Sequence, residues 1–160
     1  MPATYESIAT TTLGSAQATV TFSSITGTYT DLVVIIGGSL AVADNPYIQF
    51  NSDTGSNYSR TQMSGDGSTA GSSRSTSATR IVFTGGDLET FNAIININNY
   101  SNTTTNKTAL LRANSASQRT TATVGLWRST SAITSITFGN NSGNNFASGT
   151  VFTIYGIKAA

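Results

Sequence analysis

The chain has 160 residues, 38% of them hydrophobic and only 9% charged, with a formal net charge of +1 and neither Cys nor His. That length suits one domain with a core of its own. The missing Cys and His exclude disulfide staples, thiol nucleophiles, a Ser-His-Asp triad and the usual zinc ligands, and a charge near zero gives no long-range field for nucleic acid or an anionic membrane.

An ordinary globular domain is about 25% charged. Here Ser, Thr, Asn and Gly fill the deficit, as in a disordered chain or in a β protein whose solvent faces carry them. Disorder requires few β-branched and aromatic residues and a high net charge, whereas Ile, Val, Thr and aromatics run throughout this chain, so strands are expected. The opening Met1-Pro2-Ala3-Thr4 has neither the basic start nor the apolar segment of a secretory leader.

Helical periodicity is almost absent. Short runs of period two recur at the spacing of a sandwich or barrel. Tyr5 to Leu13 reads as the first strand. Ala18 to Phe22 alternates, with Ala18, Val20 and Phe22 on one face. Thr30 to Leu40 is different, because Leu32 to Ile36 is continuously apolar. That run is too short for a bilayer and predicts a central strand buried on both faces. Gly37-Gly38 then marks a bulge or a close backbone approach. Tyr47 to Phe50 is a short strand. Asn51 to Thr76 reads as one long mobile or functional loop, with an edge strand at Tyr58 to Met63 inside it. Arg80 to Phe83 returns to strand and Gly85-Gly86-Asp87 turns. In Phe91 to Tyr100, Phe91, Ala93, Ile95 and Ile97 face one way and Asn92, Ile94, Asn96 and Asn98 the other. Lys107 to Ala113, Thr121 to Arg128, Ile133 to Phe138 and Val151 to Ile157 follow. The tally is about nine or ten strands and no helix. A last strand laid down so late has to pair with early ones. Arg74 to Ala78 (RSTSA) recurs at Arg128 to Ala132, an echo that chance explains in so Ser- and Thr-rich a chain.

Little here carries chemistry. Asp87 and Glu89 could form a carboxylate pair of the glycosidase kind, but a solvated turn explains them as well. Asn51, Asp53, Gly55 and Asn57 offer oxygens at alternate positions without the spacing or closing Glu of a calcium loop; an Asx-rich turn is the simpler reading. Gly65-Asp66-Gly67 lacks the strand-to-helix context of a phosphate cradle. Asn57, Asn102 and Asn106 each open a glycosylation-type triplet, which this composition produces by accident. Trp127 could stack on a sugar, but a lone Trp in an alternating strand more often anchors a core or subunit contact. The eight Lys and Arg residues are scattered. No catalytic, cofactor or metal residue is assigned, no cofactor is expected, and no activity is expected.

Gly125 to Ile157 (GLWRSTSAITSITF, a Gly/Asn loop, then NFASGTVFTIYGI) resembles the C-terminal part of small virion proteins of tailed bacteriophages, particularly those of cyanobacteria. Tyr5 to Leu13, Phe22 to Leu32, Phe50 to Arg60, and Tyr100 to Lys107 with Leu110-Leu111-Arg112 extend the resemblance over nearly the whole chain. It implies a jelly-roll-like antiparallel β-sandwich, one domain over residues 1–160. It also implies a non-enzymatic role as capsid decoration, head fibre or tail fibre protein, and trimeric assembly. The partners expected are other copies of the chain and the major capsid protein or other virion proteins, with host surface glycan as a further one, and neither nucleic acid nor membrane. Decoration of the head is favoured over a tail fibre, because the sequence opens directly on a strand without a shaft. Leu32 to Ile36 is expected at the centre of the fold or in the subunit contact, with Val34 as its outward candidate.

Overall fold

Alternation of apolar and polar residues folds into strands throughout. The structure, a computed structural model, describes residues 4–83, 88–115 and 119–158, and contains no helix among them. The strands are β1 (Tyr5–Thr12), β2 (Thr19–Phe22), β3 (Asp31–Asp44), β4 (Pro46–Phe50), β5 (Tyr58–Gly65), β6 (Ala70–Ala78), β7 (Ile81–Val82), β8 (Leu88–Asn98), β9 (Lys107–Asn114), β10 (Thr120–Trp127), β11 (Ile136–Asn140) and β12 (Val151–Ile157).

Their pairing is nested. β1 pairs with β12, β2 with β11, β3 with β8 and β4 with β7, all antiparallel. Successive pairs fall in alternate sheets, so the chain is one long ribbon folded over on itself. That is the eight-stranded jelly roll, and it explains why β12 sits between β1 and β3. Two hairpins interrupt the ribbon, β5–β6 between β4 and β7 and β9–β10 between β8 and β11. Both add beyond β8, giving a large sheet β1-β12-β3-β8-β9-β10-β5-β6 against a small one, β2-β11-β4-β7.

The expected loop at 51–76 is therefore corrected. Only its first part, before Tyr58, is loop; the rest is β5, a turn and β6. β5 is an interior strand, flanked by β10 and β6, and the edge is β6. Among the described residues the strand count rises to twelve for the same reason. The echoed RSTSA segments are not equivalent, since Arg74 to Ala78 ends β6 while Arg128 to Ala132 is loop. The turn expected at Gly85-Gly86-Asp87 lies outside the described residues.

The core fills the space between the sheets. Val20 and Phe22 of β2, Ile48 and Phe50 of β4, and Phe138 of β11 meet Leu32, Val34 and Ile36 of β3 and Phe91, Ile95 and Ile97 of β8. Phe138 and Phe146 both pack on Phe152 of β12, with centroids 5.4 and 5.1 Å away. Tyr58, Phe50 and Trp127 close one end; Trp127 is stacked on Tyr58 at 6.3 Å and 18°. Two strand glycines mark where the layers come closest. A Cβ on Gly125 of β10 would lie 2.6 Å from Ile81 Cδ1, and one on Gly156 would lie 2.3 Å from the Tyr29 ring. Gly38 similarly admits the Thr150 side chain, whose hydroxyl donates to Ser39 O at 3.0 Å, and the β3–β8 register shifts beyond Ser39.

Candidate functional site

The small sheet is half as many strands wide as the large one, and the inner face of the large sheet records where its cover ends. From β3 through β8 to β9 the inward residues are Leu32, Val34 and Ile36, then Phe91, Ala93, Ile95 and Ile97, then Ala109, Leu111 and Ala113, all buried. On β10 they become Thr121 and Thr123, and on β5 Arg60, Gln62 and Ser64. Ile81 of β7 rests on Gly125 and Phe50 of β4 on Tyr58, the first residue of β5, so the cover reaches β10 and only the Tyr58 end of β5.

The outer face runs the other way. Asn92, Asn96 and Asn98 give β8 a mostly polar outside, but Ile35, Ile94, Leu110, Val124 and Met63 project from five adjacent strands and are exposed, Val124 by 50% and Met63 by 64%. Pairing joins them. Ile35 is opposite Ile94 and Leu110 opposite Val124, while Met63 is opposite Ala122. The last of these side chains border a shallow depression of about 450 Å³ with Arg112 and Thr61 at its margins. On β10 and β5 the usual order is thus reversed, with apolar residues on the open side and polar residues beneath.

The phase of Leu32 to Ile36 follows. Leu32, Val34 and Ile36 enter the core, Ile35 is exposed and Val33 is on the outer side opposite Tyr155 and Asn96. Val34 as an outward contact residue is therefore corrected: it is fully buried, and Val33 and Ile35 occupy the outer face.

On the opposite side of the extension is a polar cleft of about 810 Å³. The β5–β6 hairpin forms one wall, with Arg60, Gln62, Ser73 and Ser75; Arg80 and Thr79, next to the β7 edge, form the other. Gln62 is 2% exposed. Its amide donates to Thr123 Oγ1 at 3.1 Å, and its Oε1 accepts from Arg60 Nη1 at 3.2 Å and from Ser73 Oγ at 3.4 Å.

The oxygens of Asn51 and Asp53 and the amide nitrogen of Asn57 are committed internally. Asn51 Oδ1 accepts from the Thr134 and Ser135 backbone at 2.8 and 3.1 Å. Asp53 Oδ2 accepts from Trp127 Nε1 at 2.6 Å and from Asn57 Nδ2 at 2.9 Å, and Oδ1 from Gly55 N at 2.8 Å. The Trp127 bond, more than the others, holds the Asp53 carboxyl below its usual range despite partial burial. This loop caps the Trp127 end of β10. Trp127 is 2% exposed, so it offers no ring to a sugar. Asp66 Oδ1 accepts from the Thr69 and Ser68 backbone at 2.7 and 2.9 Å in the β5–β6 turn, where these bonds bring its pKa to about 2.

Asp87 lies outside the described residues, and Glu89 is exposed in the first turn of alternation of β8. Among the described residues no group of three or more His, Cys, Asp or Glu side chains converges. Two buried ionic groups are structural. Asp44 is pushed up by burial, but N–H donors of Asn45, Ser142 and Asn144 outweigh this and leave it lowered. Lys107, lowered by burial, donates to Thr105 O at 2.7 Å and Thr130 O at 3.2 Å, tying two loops together.

No family model matches the chain, and no curated protein sequence matches it. Among solved structures, two substituted forms of an alginate lyase, one in complex with alginate tetrasaccharide and one with trisaccharide, are 10% and 9% identical to it. The similarity covers 94% and 93% of this chain and 80% of each of theirs, at TM-scores of 0.31 and 0.30, values that carry no argument about function.

Proposed function

We propose that the chain is a non-enzymatic structural protein of a tailed-phage virion, a capsid decoration protein that acts as a homotrimer. The observation that carries this reading is the uncovered apolar stripe Ile35–Ile94–Leu110–Val124–Met63 on the outer face of the large sheet. Contiguous apolar patches on a free surface mark contact sites. At a strand spacing of about 4.8 Å, the five strands that carry the stripe span about 24 Å. Few charges oppose self-association, since the whole chain carries only 9% charged residues. The virion assignment itself rests on the sequence resemblance. Light scattering on the wild type, Val124→Asp and Leu110→Asp tests it. The wild type is expected to be trimeric and to bind empty capsids, and both variants to be folded monomers that do not bind. A wild type that stays monomeric at high concentration and ignores capsids removes the reading.

The polar cleft favours a second reading, a tail-fibre or receptor-binding tip that contacts host surface glycans. Copy number separates the two, with hundreds per virion for a head protein and a handful for a tail protein.

A further inference from the structure

We propose that the cleft between the β5–β6 hairpin and the β7 edge is a binding site for an acidic polysaccharide, held through Arg60 and Arg80. The inference concerns the isolated chain and holds wherever in a particle the protein is placed.

Charge is the first argument. Three of the chain's eight Lys and Arg residues line this one cleft, and among the described residues no Asp or Glu lines it. Asp66 acts on Arg119, so the anion is assigned to Arg60 and Arg80. Arg60 is half-buried and lowered by that burial. Its hydrogen bond goes to the neutral Gln62, and it pairs with no carboxylate among the described residues. A guanidinium drawn out of water without a counter-charge is costly, and an anion entering the cleft would relieve that cost.

Preorganisation is the second. Buried Gln62, clamped by Thr123, fixes the position of the Arg60 fork. Arg80 is laid over the Tyr47 ring at 4.5 Å. Planar forks held this way suit carboxylate or sulfate groups.

The remaining lining decides the class of ligand. Ser72, Ser73, Ser75, Ser77, Asn45 and Asn141 present hydroxyl and amide groups, partners for sugar hydroxyls. Among the described residues no aromatic ring lines the cleft, so none of them offers a nucleobase a face to stack on. The volume of about 810 Å³ is within the range of small-ligand sites, about 300–1,000 Å³, and allows two or more sugar units.

The test is calorimetric titration of the full chain with polygalacturonate, dextran sulfate, neutral dextran and sodium sulfate. One or both acidic polymers should bind and dextran should not; the polymer preferred tells carboxylate from sulfate recognition. Arg80→Gln should weaken binding about tenfold or more, the size of a lost charge-assisted hydrogen bond. Arg112→Gln, which removes the same charge from the outer face, should leave binding unchanged. Arg60→Gln should abolish it, and if that variant does not fold Arg80→Gln carries the test. The proposal is overturned if neither acidic polymer binds at millimolar saccharide, if dextran binds as well, if sulfate alone binds as tightly as the polymers, or if Arg112→Gln is as damaging as the cleft variants.

Discussion

β8 and β5 are both interior strands of the same sheet, yet their faces are opposite in character. β8 turns Phe91, Ala93, Ile95 and Ile97 inward and mostly Asn outward; β5 turns Arg60 and Gln62 inward and Met63 outward. The difference is what covers each. The small sheet lies over β8, while over β5 it covers only Tyr58. Polarity along these strands therefore records the neighbour of each face, and beyond Tyr58 it leaves the hairpin extension with exposed apolar residues outside and hydrogen-bonded polar residues inside.

The largest effect is expected where cover is complete. Val34 is fully buried and its neighbour Ile35 is 44% exposed. Val34→Asp places an unpaired charge in the core and should cost at least about 4 kcal/mol, so that circular dichroism shows an unfolded chain. Ile35→Asp should leave a folded one. Equal damage from both would show that the outer face is buried within the chain, and the contrast between the two faces would fail.

Gly125 tests how closely the cover follows β10. Gly125→Ala pushes a methyl into Ile81, itself buried, and overpacking of this kind costs about 1–3 kcal/mol. Urea denaturation should show that loss, and the double variant Gly125→Ala with Ile81→Val should recover part of it.

The loops on either side of β5 are pH-sensitive. Asp53 has a folded pKa lowered chiefly by the Trp127 N–H, and Asp66 one lowered to about 2. A lowered carboxyl stabilises the fold fully above the unfolded value of about 3.9 and loses that contribution as pH falls through the folded value. Wild-type stability should therefore decline from about pH 4 towards pH 2. Asp53→Asn, which leaves Trp127 without its charged acceptor, should cost about 1–2 kcal/mol at neutral pH and flatten the decline. A parallel pH profile for the variant would remove Asp53 from this account.

Much of the fold was legible because cover writes itself into the sequence. Val20 and Phe22, and Phe91 to Ile97, alternate cleanly where one face meets the core. The late strand Val151 to Ile157 pairs with early ones, as its position requires. β5 was legible as a strand but not as an interior one, and β6 was not legible, since strands with little apolar cover on their inner side show no alternation of hydrophobicity, and Ser- and Gly-rich strands look like loop. Leu32 to Ile36 gave a central strand but no phase, because five consecutive apolar residues fit either face. Arg60, Arg80 and Arg119 come from separate segments and converge only because both inserted hairpins extend the same sheet edge. The outer stripe did leave a trace, in the single Ile94 among the asparagines of β8 and in Val124 between threonines.

The smallest effect on stability is expected at Val124, and it discriminates most finely between the two faces. Thr123 and Val124 are adjacent on β10. Thr123 is buried and accepts from Gln62, while Val124 is half exposed. Val124→Thr changes shape little. In dilute protein, where the outer face meets water, it should alter unfolding free energy by no more than about 0.5 kcal/mol. At concentrations where copies associate, the added hydroxyl must be desolvated without an assured partner, which disfavours the complex. Sedimentation should then show weaker association at unchanged fold. A loss of more than about 1 kcal/mol in the dilute protein would place Val124 under cover within its own chain. Unchanged association would mean that the contact, where one forms, uses another part of the sheet.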